Sequence, residues 1–225
     1  MASLKNKLKN LVSKKAPVEN QKGVVYLPAL AAALACAGTD SREYLRGVFL
    51  TFEDDVTRVV GTDGHRMCVV DPSKPLVESV NTLFKVKREK HNDVIIAHAD
   101  VKELLSWRVK SSIVAAEFAT IELLADGQVM FRTWDGKKTL TCKPVDATYP
   151  EYKRCIPKER TQSANEQVAF NGQYLADLMK VAKAGFMNKI ATIVVELNKP
   201  NEPAIFRMEA PDGSKLFVVL MPMRM

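Results

Sequence analysis

The chain has 225 residues, of which 47% are hydrophobic, 26% charged and 7% aromatic. These are ordinary values for a soluble globular protein, and they exclude collagen-like repeats and general disorder. The formal net charge is +7, but residues 1–18 hold five lysines and no acidic residue, which leaves only +2 for residues 19–225. Net charge is therefore weak support for a nucleic-acid partner.

The sequence also lacks the signals of several function classes. Its four cysteines stand singly, with no CxxC pair and no clustered histidine, so neither a zinc site nor a disulfide framework is indicated. No Walker loop, GxGxxG or HExxH pattern occurs. No apolar run approaches the roughly 18 residues of a membrane span. We expect a cytoplasmic protein without metal, cofactor or membrane partner.

Residues 1–23 form a basic tail and linker with leucines at helical spacing. This pattern predicts either a frayed terminus that aids solubility or an arm that contacts DNA or a surface. Next, Pro28 and Gly38 bound a predicted helix, Ala29 to Ala37, which follows a strand. The strands predicted around this helix are Val24–Tyr26, Gly47–Phe52, Thr57–Gly61 and Met67–Val70. Residues 71–90 carry no assignment.

Two further units repeat this order. The second has a helix from an N-cap at Asp100 to about Lys110, and hairpin turns at Asp126-Gly127 and Asp135-Gly136. Its predicted strands are 94–96, 113–124, 128–134 and 137–142. The third has an N-cap at Asn171 and a helix, Gln173 to Ala184, that ends at Gly185. Its predicted strands are 167–170, 190–197, 204–209 and 215–221. The pattern is thus three β-α-β-β-β units in an α+β fold.

The helices are predicted to be amphipathic. In the third unit an apolar stripe comprises Tyr174, Leu175, Leu178 and Val181, and the other face carries Gln173, Asp177, Lys180 and Lys183. A solvated face on an α+β domain is the simplest interpretation.

The densest polar cluster is Thr62-Asp63-Gly64-His65-Arg66. Asp63 and His65 could be an acid–base pair, but no nucleophile motif accompanies them, so a hairpin turn is favoured over an enzyme. The C-terminal strand carries three methionines, which suit either an adaptable peptide-binding surface or an ordinary last strand.

Four motifs occur in an order that resembles one family: TDGHRM from Thr62, YPEYKR from Tyr149, FNGQYL from Phe170 and MPMRM from Met221. They are similar to motifs of the bacterial DNA polymerase III beta subunit, the DNA sliding clamp, and the resemblance covers about residues 24–225. It implies that residues 24–157 form a complete clamp domain of two units, 24–90 and 91–157, and that 158–225 form half a domain.

The resemblance further implies a processivity factor without catalysis, a homo-oligomeric ring around double-stranded DNA that contacts phosphates without reading sequence. Helices line such a ring, so the residues expected to face DNA are Lys102, Lys110, Lys180 and Lys183.

It also implies an apolar pocket that binds a short extended peptide of the DNA polymerase and the clamp loader. Carried over by position, the pocket comprises Leu45, Thr62, Gly64, His65, Arg66, Met67, Pro157, Val219, Leu220, Met221 and Arg224. Met67 stands where the family usually has leucine, a change that conserves volume.

The length departs from the family, whose chains have six units and close a ring as pairs. With three units, four chains would supply the same twelve, so a tetramer is expected, then a trimer, then no ring. A shortened, phage- or plasmid-borne clamp is the expected identity. The alternative is a clamp-fold module that binds clamp-binding peptides and modulates a host replisome without a ring.

Overall fold

The structure is a computed structural model that describes residues 23–39, 42–53, 56–86, 93–109, 113–157, 168–186, 192–197, 202–210 and 213–223. The basic tail, Lys110 and Arg224 lie outside these residues.

The described elements follow the predicted order of strands and helices. The first unit contains β1 (Gly23–Tyr26), α1 (Leu27–Leu34), β2 (Gly47–Glu53), β3 (Val56–Thr62), β4 (Arg66–Asp71) and α2 (Lys74–Phe84). The second contains β5 (Val94–Ala97), α3 (His98–Ser106), β6 (Phe118–Leu123), β7 (Val129–Thr133) and β8 (Thr139–Cys142). The third contains α4 (Gly172–Phe186), β9 (Ile193–Glu196), β10 (Ala204–Glu209) and β11 (Lys215–Leu220).

The first two units exchange their first strands. β1 pairs with β6 so that Tyr26 lies opposite Phe118, and β5 pairs with β2 so that Ala97 lies opposite Gly47. Each exchange places the residue just before a helix opposite the first residue of the other unit's second strand. The result is a four-stranded sheet, in the order β1-β6-β7-β8, and the first part of a larger sheet.

The larger sheet continues into the third unit. Its order is β5-β2-β3-β4-β11-β10-β9, and the two units join where β4 pairs antiparallel with β11. In that register Arg66 lies opposite Leu220 and Met67 opposite Val219. The junction therefore brings the start of β4 beside the C-terminal end of the last strand.

The main core lies between the sheets and helices α1, α3 and α4. Leu30, Ile96, Leu104 and Phe131 are fully buried there, and each such side chain contributes about 1.5–3 kcal/mol relative to exposure. α1 has the sequence LPALAAAL and is buried along most of its length. Its small alanines let neighbouring backbone approach closely.

Several predicted helix ends were wrong. α1 ends at Leu34 rather than Ala37, and Gly38 donates its N–H to the Thr62 carbonyl at 3.1 Å. α3 begins at His98, which places Asp100 in the first turn rather than at the N-cap. Gly185 does not end α4, because the helix runs on to Phe186.

Other elements also differ from expectation. The segment with no assignment forms α2, which buries Val77, Val80 and Phe84. The long strand predicted from 113 to 124 is a 3-10 turn, Val114–Glu117, followed by β6. The described part of the strand predicted at 167–170 is a single bridge between Ala169 and Met223. None of the helices in the described ranges is long and apolar enough to cross a membrane.

Both Asp-Gly turns of the second unit are present as predicted. Gly127 and Gly136 have φ values of +81° and +67°, which glycine adopts without steric cost. The preceding Asp126 and Asp135 carboxylates accept the N–H groups of Gln128 and Lys137.

Candidate functional site

The sheet junction brings two of the singled-out segments together. The turn between β3 and β4 holds Asp63, Gly64 and His65, and the chain leaves β11 at Met221. The Met221 N–H donates to the His65 carbonyl at 3.0 Å. The turn and the C-terminal strand, more than 150 residues apart in sequence, thus form one continuous surface.

The turn is built by its own polar side chains. Asp63 Oδ1 accepts the N–H groups of His65 at 2.9 Å and Arg66 at 3.0 Å. Thr62 Oγ1 accepts the Gly64 N–H at 3.1 Å and donates to the Arg66 carbonyl at 2.7 Å. Gly64 has a φ of +89°. The Asp63 carboxylate therefore stabilises a turn, which agrees with the turn interpretation of this motif.

Arg66 joins this turn to the third unit. Its Nε lies 3.0 Å from Asp63 Oδ2 and its Nη1 lies 2.6 Å from Asp177 Oδ2 on α4. The guanidinium also lies over the Tyr174 ring, 4.7 Å from its centroid. Charge-assisted pairs of this length are among the stronger hydrogen bonds in proteins. The Arg66 side chain thus connects β4 with α4.

Asp177 is the most perturbed carboxyl group of the site. Its Oδ1 lies 2.5 Å from Lys180 Nζ and accepts a hydrogen bond from Gln173 Nε2 at 3.2 Å. Lys180 and then Arg66 lower the pKa of Asp177 to about 2. The expectation that Asp177 lies on a solvated face was wrong, since the residue is 7% exposed. It is therefore an ionised, nearly buried acceptor.

Behind the turn lies a small apolar cluster on one face of the larger sheet. Its buried members are Val60, Met67, Val69, Tyr152 and Val219, and its partly buried members are Phe49, Tyr149, Ile156 and Phe217. The Tyr149 ring stacks on Phe49 with centroids 4.3 Å apart, and burial raises the pKa of the Tyr149 hydroxyl. The segment 149–156 thus packs on this face of the sheet.

The residues carried over for the pocket occupy different positions around the junction. Leu45, Thr62, Met67, Val219 and Leu220 are buried. Gly64, His65 and Met221 are exposed, Arg66 and Pro157 are half-buried, and Arg224 lies outside the described residues. Val219 belongs to the small cluster, whereas Leu220 packs in the main core, because neighbouring residues of a strand point to opposite faces.

The lysines expected to face DNA differ in whether their charge is already paired. Lys102 on α3 and Lys183 on α4 are exposed. Lys180 is exposed as well, but its ammonium pairs with Asp177. Lys110 lies outside the described residues.

Comparison with known structures decides the fold. A crystal structure of the sliding clamp of Pseudomonas aeruginosa matches with a TM-score of 0.65 and 19% identity, covering 94% of this chain and 68% of that one. A Caulobacter crescentus beta sliding clamp matches with a TM-score of 0.62 and 17% identity, covering 95% and 70%. The chain has the sliding-clamp fold. The predicted α+β clamp architecture is therefore confirmed.

Sequence comparison agrees with this result. A beta sliding clamp of Pseudomonas putida is 29% identical over 126 residues, which are 56% of this chain and 30% of that protein. One of Synechococcus elongatus is 28% identical over 180 residues, 79% of this chain and 43% of that protein. The resemblance seen in the four motifs is thus confirmed, although the match spans less than half of these curated relatives. No family model matches the chain.

Sequence reasoning missed three side chains at the junction. Tyr174 and Asp177 lie three residues apart on one face of α4, and both contact Arg66. A spacing of three residues makes them neighbours on the helix, although the sequence pattern assigned them to different faces, and nothing in it pointed to a partner of Asp177 111 residues away. Tyr149 lies in the YPEYKR motif, which indicated the family without indicating that its ring packs on Phe49.

Proposed function

We propose that this chain is a DNA sliding clamp, a processivity factor that encircles duplex DNA as a homo-oligomeric ring and binds replication proteins through peptides. The observation that carries the proposal is the junction between β4 and β11, which joins the TDGHR turn to the methionine-bearing segment that follows β11 on a sliding-clamp fold. Two motifs that are distant in sequence thus form one surface.

The proposed peptide site is the surface around this junction. Met67 and Val219 supply a buried apolar floor, and Met221, 43% exposed, supplies an accessible apolar side chain. The exposed His65 and the Thr62 hydroxyl lie beside them. Such a surface suits an extended peptide with leucine and phenylalanine side chains, so a polymerase and a clamp loader are the proposed partners. Leu45, Gly64 and Pro157 complete the proposed set around it, Leu220 anchors the end of β11 in the main core, and Arg224 is a further proposed contact.

Arg66 has a supporting role in the proposed site. Its Nε and Nη1 are already engaged by Asp63 and Asp177. Its part in the proposed site is to hold the turn in position against α4.

The proposed DNA contacts are nonspecific. Lys102 and Lys183 carry positive charge on exposed surfaces of α3 and α4. Lys180 and Lys110 are included among the proposed DNA contacts. Contacts of this kind with phosphates supply affinity without sequence information. Modest charge also suits a ring that must slide, because many strong phosphate contacts would hold it in place.

The ring is tested by its dependence on DNA topology. Dilute chains are concentrated in the presence of a nicked circular plasmid, so that rings can close around DNA without a loader, and the DNA is then separated by gel filtration in moderate salt. We expect the protein to remain with the circle. A single restriction cut should release it, because a ring slides off a free end.

A linear plasmid with both ends blocked by bound protein is the matched control, and it should retain the ring as the circle does. Equal retention on open linear and circular DNA would exclude encirclement. Peptide binding without retention on the circle would instead support the module that captures clamp-binding peptides without a ring.

The peptide site is tested by Met221→Ala. We expect roughly tenfold weaker binding of a peptide ending in leucine and phenylalanine, because loss of a partly buried methionine removes about 1–2 kcal/mol. Fluorescence anisotropy measures the affinity and light scattering the mass, which should not change. Met179→Ala is the control, since Met179 is a comparably exposed methionine, 50%, in the middle of α4. Equal affinities for the two variants would remove the C-terminal strand from the site.

A further inference from the structure

The outermost strand of the larger sheet, β9, is exposed on both faces. Val194 is 52% exposed and Val195 48% exposed, and the adjacent Leu197 is 48% exposed. β9 pairs with β10 on one side, and in the described ranges no strand pairs with it on the other. An apolar edge of this kind is a template for another strand.

The opposite end of the sheet system has a protected edge. β8 is flanked by the exposed lysines 137, 138 and 143, and Pro144 follows. Lysine and proline at an edge discourage pairing with another chain. β9 itself carries the exposed Val194 and Val195 where β8 carries the exposed Thr139 and Thr141, and its one charged side chain, Glu196, pairs with Arg207 at 2.9 Å. The two edges therefore differ in their suitability for association.

The first two units show what normally covers such an edge. β9 corresponds in order to β2 and β6, the strand after the helix, and each of these receives the first strand of the other unit. The third unit has no such companion among the described residues. Its own first segment, Val168 to Phe170, precedes α4 as β1 precedes α1.

That segment is already placed as β1 is. β1 packs on β3 of its own unit, where Thr57 Oγ1 donates to the Val24 carbonyl at 2.8 Å. In the third unit Phe170 packs on Phe206 of the corresponding strand β10, with ring centroids 5.8 Å apart. The Ala169 carbonyl accepts the Met223 N–H at 2.8 Å on one edge of the segment, so the opposite edge is the one from which it would pair with another unit.

We infer that two copies of this chain associate through their third units, each adding its segment 168–170 to the β9 edge of the other. The arrangement is a two-fold one, in which both copies use the same surfaces. The inference deepens the proposed function and rests on it for the ring, because such a pair holds six of the twelve units expected of a ring.

The register follows from the first two units. Tyr26 and Ala97, the residues just before α1 and α3, lie opposite Phe118 and Gly47, the first residues of β6 and β2. The same rule places Asn171 of one copy opposite Ile193 of the other, and hence Ala169 opposite Val195. Directly opposed side chains in antiparallel strands have Cβ atoms about 4.5–5.5 Å apart.

The test joins those two positions. Ala169→Cys and Val195→Cys are made in separate chains that also carry Cys155→Ser, because Cys155 is an exposed thiol. The two proteins are mixed and treated with a short bifunctional thiol reagent. We expect a product of twice the 25.0 kDa chain mass on a reducing gel, in excess over that from either variant alone. The control mixes Ala169→Cys with Thr141→Cys, which moves the second cysteine from β9 to β8. This pair should give no cross-linked product.

A second measurement uses light scattering. The wild-type assembly should have the mass of at least two chains. The assembly of the Val194→Lys variant should have at most half of the wild-type mass. The Thr141→Lys variant, changed on β8, should still have the mass of at least two chains. A wild-type monomer, or Val194→Lys with unchanged mass and no cross-link, would overturn the inference. Cross-linking with no retention on circular DNA would overturn the proposed function and leave the interface intact.

Discussion

Replacing Asp177 by Asn should lower the free energy of unfolding by about 3 kcal/mol, the lower end of the cost of breaking a buried ion pair. The Arg66 and Asp177 side chains are only 13% and 11% exposed. An amide of the same size can accept from one cation but then presents its NH₂ group to the other. When the amide oxygen accepts from Lys180, Arg66 keeps Asp63 but loses its 2.6 Å partner while remaining largely out of water. Urea unfolding at neutral pH measures the change.

The matched control is Glu151→Gln, which makes the same chemical change in the exposed pair with Arg154. There the side chains are 63% and 79% exposed, and exposed pairs contribute about 0–1 kcal/mol. Similar losses of unfolding free energy for the two variants would mean that the ion pair between β4 and α4 stabilises the fold no more than an exposed pair does. A large loss for Asp177→Asn alone would support a stabilising role for the pair of Arg66 with Asp177.

The pH dependence gives an independent check on the same residue. The pKa of Asp177 is lowered from its ordinary 3.8 to about 2 in the folded protein, so its ionised form stabilises the fold. That contribution is complete above about pH 4 and is lost as the pH falls towards 2. The difference in unfolding free energy between wild type and Asp177→Asn should therefore shrink over this interval. A difference that stays constant from pH 5 to pH 2 would contradict the assigned cause.

The same substitution should weaken peptide binding if the junction is the peptide site. Arg66 holds the turn that carries His65, and the His65 carbonyl accepts the Met221 N–H. Loosening the turn would therefore disturb both sides of the proposed surface. We expect roughly tenfold lower affinity at a temperature where the variant is fully folded.

Most strands, though not those expected at 113–124 and 167–170, were predicted closely because local rules determine them. β10 matches its expected range, and β2, β3 and β4 match within two residues at each end, since alternating apolar residues and turn residues bound them. Helix ends were predicted less well. In the alanine-rich α1 the capping signal at Gly38 was misleading, because that glycine meets the backbone of Asp63 instead of adopting a positive φ.

The missed helix α2 had a usable signal. Leu76, Val80 and Phe84 follow at spacings of four, and Pro75 stands in the first turn. No glycine marks the end of this helix. Lys85 takes the left-handed conformation there instead, with a φ of +51°. At the site, the turn chemistry of Thr62 to Arg66 followed from sequence. The pairing of Arg66 with Asp177 depends on the junction between β4 and β11, which no local pattern encodes.

Gly61→Ala should destabilise the protein by about 4 kcal/mol or more, an exceptional loss for one methyl group. A Cβ atom on Gly61 would lie 2.0 Å from the Ala33 carbonyl oxygen and 2.6 Å from its carbon. Both are backbone atoms of α1, so no side chain can rotate away. Either β3 or the buried helix must move, and overpacking of rigid neighbours is costly.

Gly172→Ala is the control for the loss of a glycine as such. Gly172 begins α4, and nothing lies within 4 Å of its added Cβ, so alanine should be neutral or stabilise by a few tenths of a kcal/mol. Chemical unfolding of both variants measures the contrast. Gly61 directly precedes Thr62, whose carbonyl accepts the Gly38 N–H, so any Gly61→Ala protein that folds should also bind peptide more weakly. Equal stability of the two variants would show that β3 and α1 can separate without cost, and that this close approach does not position the turn.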